Sequence, residues 1–401
     1  DLHAHLIAIP FALLAIGLTL NMVLSAQEKG FHWSNLTFPF LGLAIAIGAL
    51  ATINTWDYPT YLLIGIGAIA LSYHTYNKAL NARLLVITAI GGGILVSISY
   101  LIFLPFHQRY VPFSLGFGLS PTQTNLHQYL AIHGLFLFIV ITYLIYEWRT
   151  NTERLFRNDT VHFSCILIAV LIAVASTILL TLDVLVADTP SIFKHSLTYM
   201  TIPFLSVLAT SLILLAITRL KENSNESPQH LFIIGLSGGA LALGIGVDII
   251  TANNDIERMN TVFKLYLQGW VLYGLASGSI LWYLLTSWDK PLHTFSVKKA
   301  LWLPCLTILI ISAAIYPTLG TKARLSDRFS TEFQSLDGTK YMDTAVYRDH
   351  QGLITLKWDH QAIDWMRANL LGSPVVAEGH TPAYRWGSRV SIYTGLPTII
   401  G

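Results

Sequence analysis

The chain has 401 residues, of which 53% are hydrophobic and only 11% charged, and its mean hydropathy is +0.57. Soluble globular domains carry roughly a quarter charged residues, so an ordinary water-soluble enzyme is excluded. The net charge of +2, without any dense Lys/Arg run, excludes nucleic acid as a partner.

Charge is unevenly placed. From Pro317 onward 85 residues hold 17 charged side chains, against 29 in the 316 residues before it. A step of that size means two solvents: a polytopic membrane domain over 1–316 and a water-exposed tail over 317–401. Cys165 and Cys305 each sit inside an apolar stretch, where a thiol acts as a small hydrophobe, and no disulfide is expected. The chain opens at Asp1 without a methionine and stops at Gly401 in a segment that reads as continuing, so further sequence is expected at both ends.

A bilayer span needs about 20 mostly apolar residues. Ten stretches qualify, at about 6–26, 36–53, 58–74, 84–106, 129–147, 162–182, 198–219, 230–248, 263–286 and 298–316, which predicts an all-α transmembrane bundle. The second and third are close enough to form one re-entrant hairpin instead. Eleven Lys and Arg follow odd-numbered spans, from Lys29 to Lys299, against Arg109, Lys194, Arg258 and the span-edge Lys264 in the opposite loops. Cations in short loops mark the cytoplasmic side, so the odd loops are expected inside and the tail outside the cell membrane.

Asp1-Leu2-His3-Ala4-His5 falls at the external end of the first span. Asp1, His3 and His5 alternate, and in an extended segment one carboxylate and two imidazoles can hold a divalent cation or supply a general base. The competing reading is a helix N-terminus with solvated histidines. Trp56, Asp57 and Tyr58 lie in the next external turn, where Asp57 can cap the helix beginning near Pro59 and Trp56 suits the interface.

Residues 255–270 carry the strongest polar signal. Helical spacing stacks Thr261, Lys264 and Gln268 with Asn260 into a stripe entering the ninth span. Ionisable groups at membrane depth point to function, with lysine snorkelling as the alternative. Arg258 and Lys264 together can bind a phosphate at the bilayer surface. Asp183, Asp188 and His195 in one external loop, Asp248 at the end of the eighth span, and His107, Arg109 and His127 in the longest loop can line the same cavity, but individually read as solvated residues.

In the tail, Asp359 can cap an amphipathic helix running through Leu370, with Gly372 beyond its end, while Val375–Val376 and Arg389–Tyr393 read as short strands. Glu378, Tyr384, Arg389 and Tyr393 combine acid, base and aromatic rings that can bind sugar, or can pack the tail instead.

Five strings, DLHAH at Asp1, NTWDYPTY from Asn54, ERMNTVFKLYLQGW from Glu257, LDGTKYM from Leu336 and SRVSIYTGLPTIIG from Ser388, resemble the YYY family of polytopic membrane proteins of Chloroflexi-type bacteria and archaea. That family in turn resembles the glycosyltransferase C class. The resemblance implies transfer of a sugar from a polyprenyl-phosphate donor to a glycan, lipid or protein acceptor at the outer membrane face. On that reading Asp1, helped by His3 or a bound cation, takes the acceptor proton, and Asp57 orients the reacting groups. Arg258, Lys264, Asn260 and Gln268 hold the lipid phosphate, while Trp56, Glu378, Tyr384, Arg389 and Tyr393 bind acceptor or sugar. A transporter or lipid flippase, and a non-catalytic membrane scaffold, remain as alternatives.

Overall fold

A computed structural model describes residues 3–111, 116–150, 200–221, 227–253, 255, 258–287, 297–328, 335–349, 352–382 and 385–399. The expected span at 162–182 lies outside them, as do Asp1, Cys165, Asp183, Asp188, His195 and Tyr384. The chain divides into two compact units, Asp1–Ile310 and Ile311–Gly401.

The first unit is a helical bundle, and the protein is a multi-pass membrane protein. Its long helices are α1 (Ala4–Lys29), α2 (Trp33–Ile53), α3 (Tyr58–Asn77), α4 (Ala82–Ile102), α6 (Leu126–Thr150), α7 (Thr201–Lys221), α8 (Ser227–Ile249) and α9 (Met259–Ser287). A short α5 (Leu104–His107) follows α4, and α10 (Val297–Ile315) runs across the boundary between units. Among the described residues eight helices are long and apolar enough to cross a membrane. α3 falls below that hydropathy, because Thr60, Ser72, His74 and Thr75 interrupt it, yet its 20 residues make a rod of about 30 Å.

Helices form here because a bilayer leaves no other partner for backbone N–H and C=O groups. α1 packs on α2 and α3, α4 on α2 and α3, and α8 lies between α7 and α9. Leu43, Ile47, Ile69, Leu95, Leu272 and Ile280 are fully buried, whereas Phe38, Leu85 and Leu301 are mostly exposed, as lipid-facing side chains are. α2 and α4 approach closely at Gly48, where a Cβ would collide with the Ser99 carbonyl and the Phe103 ring. Two strands at one end of the bundle, β1 (Phe117–Leu119) and β2 (Ile250–Ala252), pair antiparallel with Gly118 opposite Thr251.

The second unit holds α11 (Thr321–Arg328), the hairpin β3 (Val346–Asp349) and β4 (Gly352–Thr355), α12 (Leu356–Asn369) and α13 (Arg389–Thr394). Met342, Leu356 and Ile363 form its small core. The amphipathic helix is present but starts at Leu356, placing Asp359 in its first turn rather than at its cap. Val376 makes a single parallel bridge to Thr398. The expected strand at Arg389–Tyr393 is a helix: Glu378 accepts the N–H groups of Val390 and Ser391 at 3.1 Å each, satisfying donors that a helix start leaves open.

Candidate functional site

Three separated segments meet at one end of the first unit: the start of α1, the turn between α2 and α3, and the start of α9. The Lys264 ammonium lies 5.1 Å from the centre of the Trp56 ring, a cation–π distance. His5, in the first turn of α1, packs edge-on against Phe263 with ring centres 4.4 Å apart. Phe117 of β1 meets Trp56 edge-on at 6.2 Å. The sequence segments around His3, Trp56 and Lys264 are thus neighbours in space.

The phosphate candidates do not share one role. Arg258 is buried and inward-facing, with its guanidinium donating to Asp248 at 2.7 Å, to the Val247 carbonyl at 3.1 Å and to Thr124 Oγ1 at 2.7 Å. Thr124 also donates to Asp248 through its N–H and hydroxyl, and Tyr266 donates to Thr124. This network ties the 120s loop to α8 and α9, and it engages the Arg258 guanidinium within the fold. Asp248, expected as a solvated residue at the end of the eighth span, is its counter-ion.

Asn260 is also committed. Asp255 Oδ1 accepts its N–H and its side-chain amide, while Asp255 Oδ2 accepts both donors of Thr261 at 2.8 Å. Desolvation alone would raise the Asp255 carboxyl, but these Thr261 and Asn260 donors outweigh it and hold the group below the usual carboxylate range. Gln268 is a latch: its amide donates to the Trp56 carbonyl at 3.1 Å and its Oε1 accepts from Thr60 at 2.5 Å. Of the four expected phosphate ligands, Lys264 alone keeps its head group outside such bonds.

Asp57 precedes α3 but makes no capping bond with its side chain. It is 5% exposed, and burial raises its carboxyl above the usual range against the pull of Asn54, Gln268 and Lys264. A carboxyl raised in this way can exchange a proton nearer neutrality than a solvated aspartate. His3 caps α1 positionally in an extended conformation, and its ring centre is 5.2 Å from that of His5. Among the described residues no group of three His, Cys, Asp or Glu assembles a metal site.

Behind this mouth lies a cavity of about 1380 Å³. Trp56, Asp255, Asn260 and Lys264 line one end, and His74, Leu220 and Leu231 the other. Its walls are chiefly α3 and α8, and Lys264 and Asp255 are its only charged lining residues among those described.

In the second unit Glu378, Arg389 and Tyr393, three of the expected sugar ligands, make bonds within the fold. Glu378 caps α13; Arg389 pairs with Asp359 at 2.9 Å; Tyr393 exchanges a hydroxyl bond with Tyr341 at 2.6 Å, and its carbonyl accepts from Arg367. Trp386 donates to Asp359 at 2.8 Å.

Sequence reasoning passed over Asp255, Thr60 and Thr124. An aspartate five residues ahead of an Asn-Thr pair at a helix start is a readable capping signal, whereas Thr60 and Thr124 reach partners 208 and 124 residues away and leave no local trace.

A family model described as uncharacterized membrane protein, DUF2298, matches residues 1–273. No curated protein matches the chain. No solved structure matches it. The matched range contains the whole mouth and every described residue lining the cavity, and it ends before the tail.

Proposed function

For a chain that belongs to the DUF2298 family of uncharacterized membrane proteins, we propose an integral-membrane glycosyltransferase that uses a polyprenyl-phosphate sugar donor at the outer face. The observation that carries this reading is the position of Lys264: a cation held over Trp56, beside buried Asp57, at the charged end of a long apolar cavity. Asp255 is the other charge there, and its oxygens are spent on the start of α9.

In the proposed reaction an acceptor hydroxyl attacks the anomeric carbon, the bond from that carbon to the phosphate oxygen breaks, and the hydroxyl proton passes to a carboxylate. Lys264 stabilises the charge gathering on the departing lipid phosphate. Asp1 is the base that the sequence favours, and Asp57 is the described carboxyl suited by burial to orient the acceptor or to share the proton. His3 and His5 stand with ring centres 5.2 Å apart at the start of α1, and Asp1, the third member of the expected cation site, lies outside the described residues. The orientation that puts this mouth outside follows the Lys/Arg bias of the loops.

The test is transfer of radiolabelled sugar from a polyprenyl-phosphate donor by the purified full chain in proteoliposomes. Asp1→Asn should abolish transfer while donor binding persists, and Lys264→Ala should weaken donor binding itself. Transfer unaffected by both changes would overturn the reading. Movement of unmodified donor lipid across the vesicle, without transfer, would favour the transporter.

A further inference from the structure

We infer that the cavity holds the lipid chain of the donor along the depth of the membrane, and that Gly67, Gly235 and Gly246 set which chain fits. The inference rests on the proposed function for the head-group end, and goes beyond it in assigning a chain site and the residues that gauge it.

Depth comes first. The cavity lining on α3 begins at Pro59 and reaches His74, fifteen residues on, which is about 22 Å of helix. That is most of a hydrocarbon core of roughly 30 Å. The opposite wall is one face of α8, where Gly235, Gly239, Ala242 and Gly246 recur at intervals of four, three and four. Pockets for drug-sized ligands occupy about 300–1,000 Å³, so 1380 Å³ of mostly apolar lining suits a longer, apolar occupant.

Charge then selects the kind of occupant. Among the described lining residues, charge is confined to the Lys264 and Asp255 end, and the Asp255 oxygens are engaged by the donors at the start of α9. One end therefore offers a cation and the other offers none. An amphiphile with a single anionic head matches that polarity. A bipolar lipid would leave a head group against Leu220 and Leu231, and a soluble sugar phosphate would leave the apolar walls uncovered.

The glycines supply the gauge. At Gly48 a Cβ would strike the neighbouring helix, so that glycine exists to let helices touch. At Gly67, Gly235 and Gly246 a Cβ would meet nothing within 4 Å, and all three line the cavity. They spend helix propensity to keep space open where a chain would lie. A side chain added there projects into the cavity rather than into a helix partner.

The experiment measures lipid retained by the purified full chain, by mass spectrometry after extraction, and binding of two probes, farnesyl phosphate and a long-chain polyprenyl phosphate. Gly67→Leu and Gly235→Leu are compared with wild type, with Lys264→Ala, and with Gly93→Leu, an equally open glycine on the exposed face of α4. Wild type and Gly93→Leu should retain the long-chain lipid. The two cavity variants should lose it at least tenfold while still binding farnesyl phosphate, which also shows that they are folded. Equal retention of polyprenyl phosphate by all glycine variants, with loss in Lys264→Ala, would overturn the chain site and leave the donor reading standing. Loss of a bound lipid in the cavity variants, with phosphate binding untouched in Lys264→Ala, would instead sink the donor reading. Recovery of a diacyl phospholipid from wild type would overturn the single-chain occupant.

Discussion

The Arg258 guanidinium and the Asp248 carboxylate meet at 2.7 Å with side chains 10% and 0% exposed, and Asp248 Oδ2 is buried with no partner among the described residues. An ion pair so enclosed is costly to break from one side, because the remaining charge cannot reach water. Arg258→Ala should destabilise the protein by about 3–5 kcal/mol. The double change Arg258→Gln with Asp248→Asn should cost clearly less than the sum of the single changes. Thermal unfolding in detergent for all variants gives the comparison; additive effects would remove the pair from the account.

Asp255 should matter through the start of α9. Asp255→Ala removes four accepted bonds and should cost about 1–2 kcal/mol, as lost caps do. Because its folded carboxyl is held below the usual range, its contribution is fully present above the unfolded value and is lost as pH falls through the folded one. The difference in unfolding temperature between wild type and Asp255→Ala should therefore shrink on acidification below about pH 4. A difference that stays constant to pH 3 would contradict this.

Asp57 should behave in the opposite sense. Burial raises its carboxyl, so the stability conferred by the protonated form is present below the unfolded value and is lost as pH rises through the folded one. Asp57→Asn should accordingly be neutral or stabilising above neutrality and should flatten the pH profile of unfolding on the acid side. If the proposed chemistry holds, the same change lowers transfer, which separates a stability effect from a catalytic one. A loss of stability relative to wild type that is greater for Asp57→Asn at pH 8 than at pH 5 would disprove the sign.

Glu378→Ala should unravel α13, since both its oxygens receive N–H groups from the first turn of that helix. A cost of about 1 kcal/mol is expected, confined to the second unit. Trp386 packs near Tyr393, so a tryptophan signal assigned by a Trp386→Phe control should change with it. Unchanged local fluorescence would argue against the cap.

Most of the bundle was legible because a bilayer imposes a length and a composition that a sequence displays directly. The stretch at 58–74 was readable despite Ser72 and His74, whose polarity is tolerated within a packed helix. Arg389–Tyr393 was misread because Val390, Ile392 and Tyr393 favour strands, while the group that decides the matter, Glu378, stands eleven residues upstream. Arg258 was read as a free external cation because counting loop charges cannot reveal that α8 and α9 bring Asp248 against it. Lys264 and Gln268 are one turn apart and look alike on a helical stripe. Only packing shows that one faces a cavity and the other a backbone carbonyl.

The bonds from Gln268 to Trp56 and Thr60 join residues 212 and 208 positions apart. At synthesis rates of about 5–20 residues per second, α3 waits roughly 10–40 s before its latch is made. During that interval the turn carrying Asp57 has no fixed partner from α9, and the polar groups of α3 must be sheltered by α1, α4, lipid or the insertion machinery. Biogenesis of the mouth is thus a late event, and a ribosome stalled before α9 would leave inserted helices with no competent site.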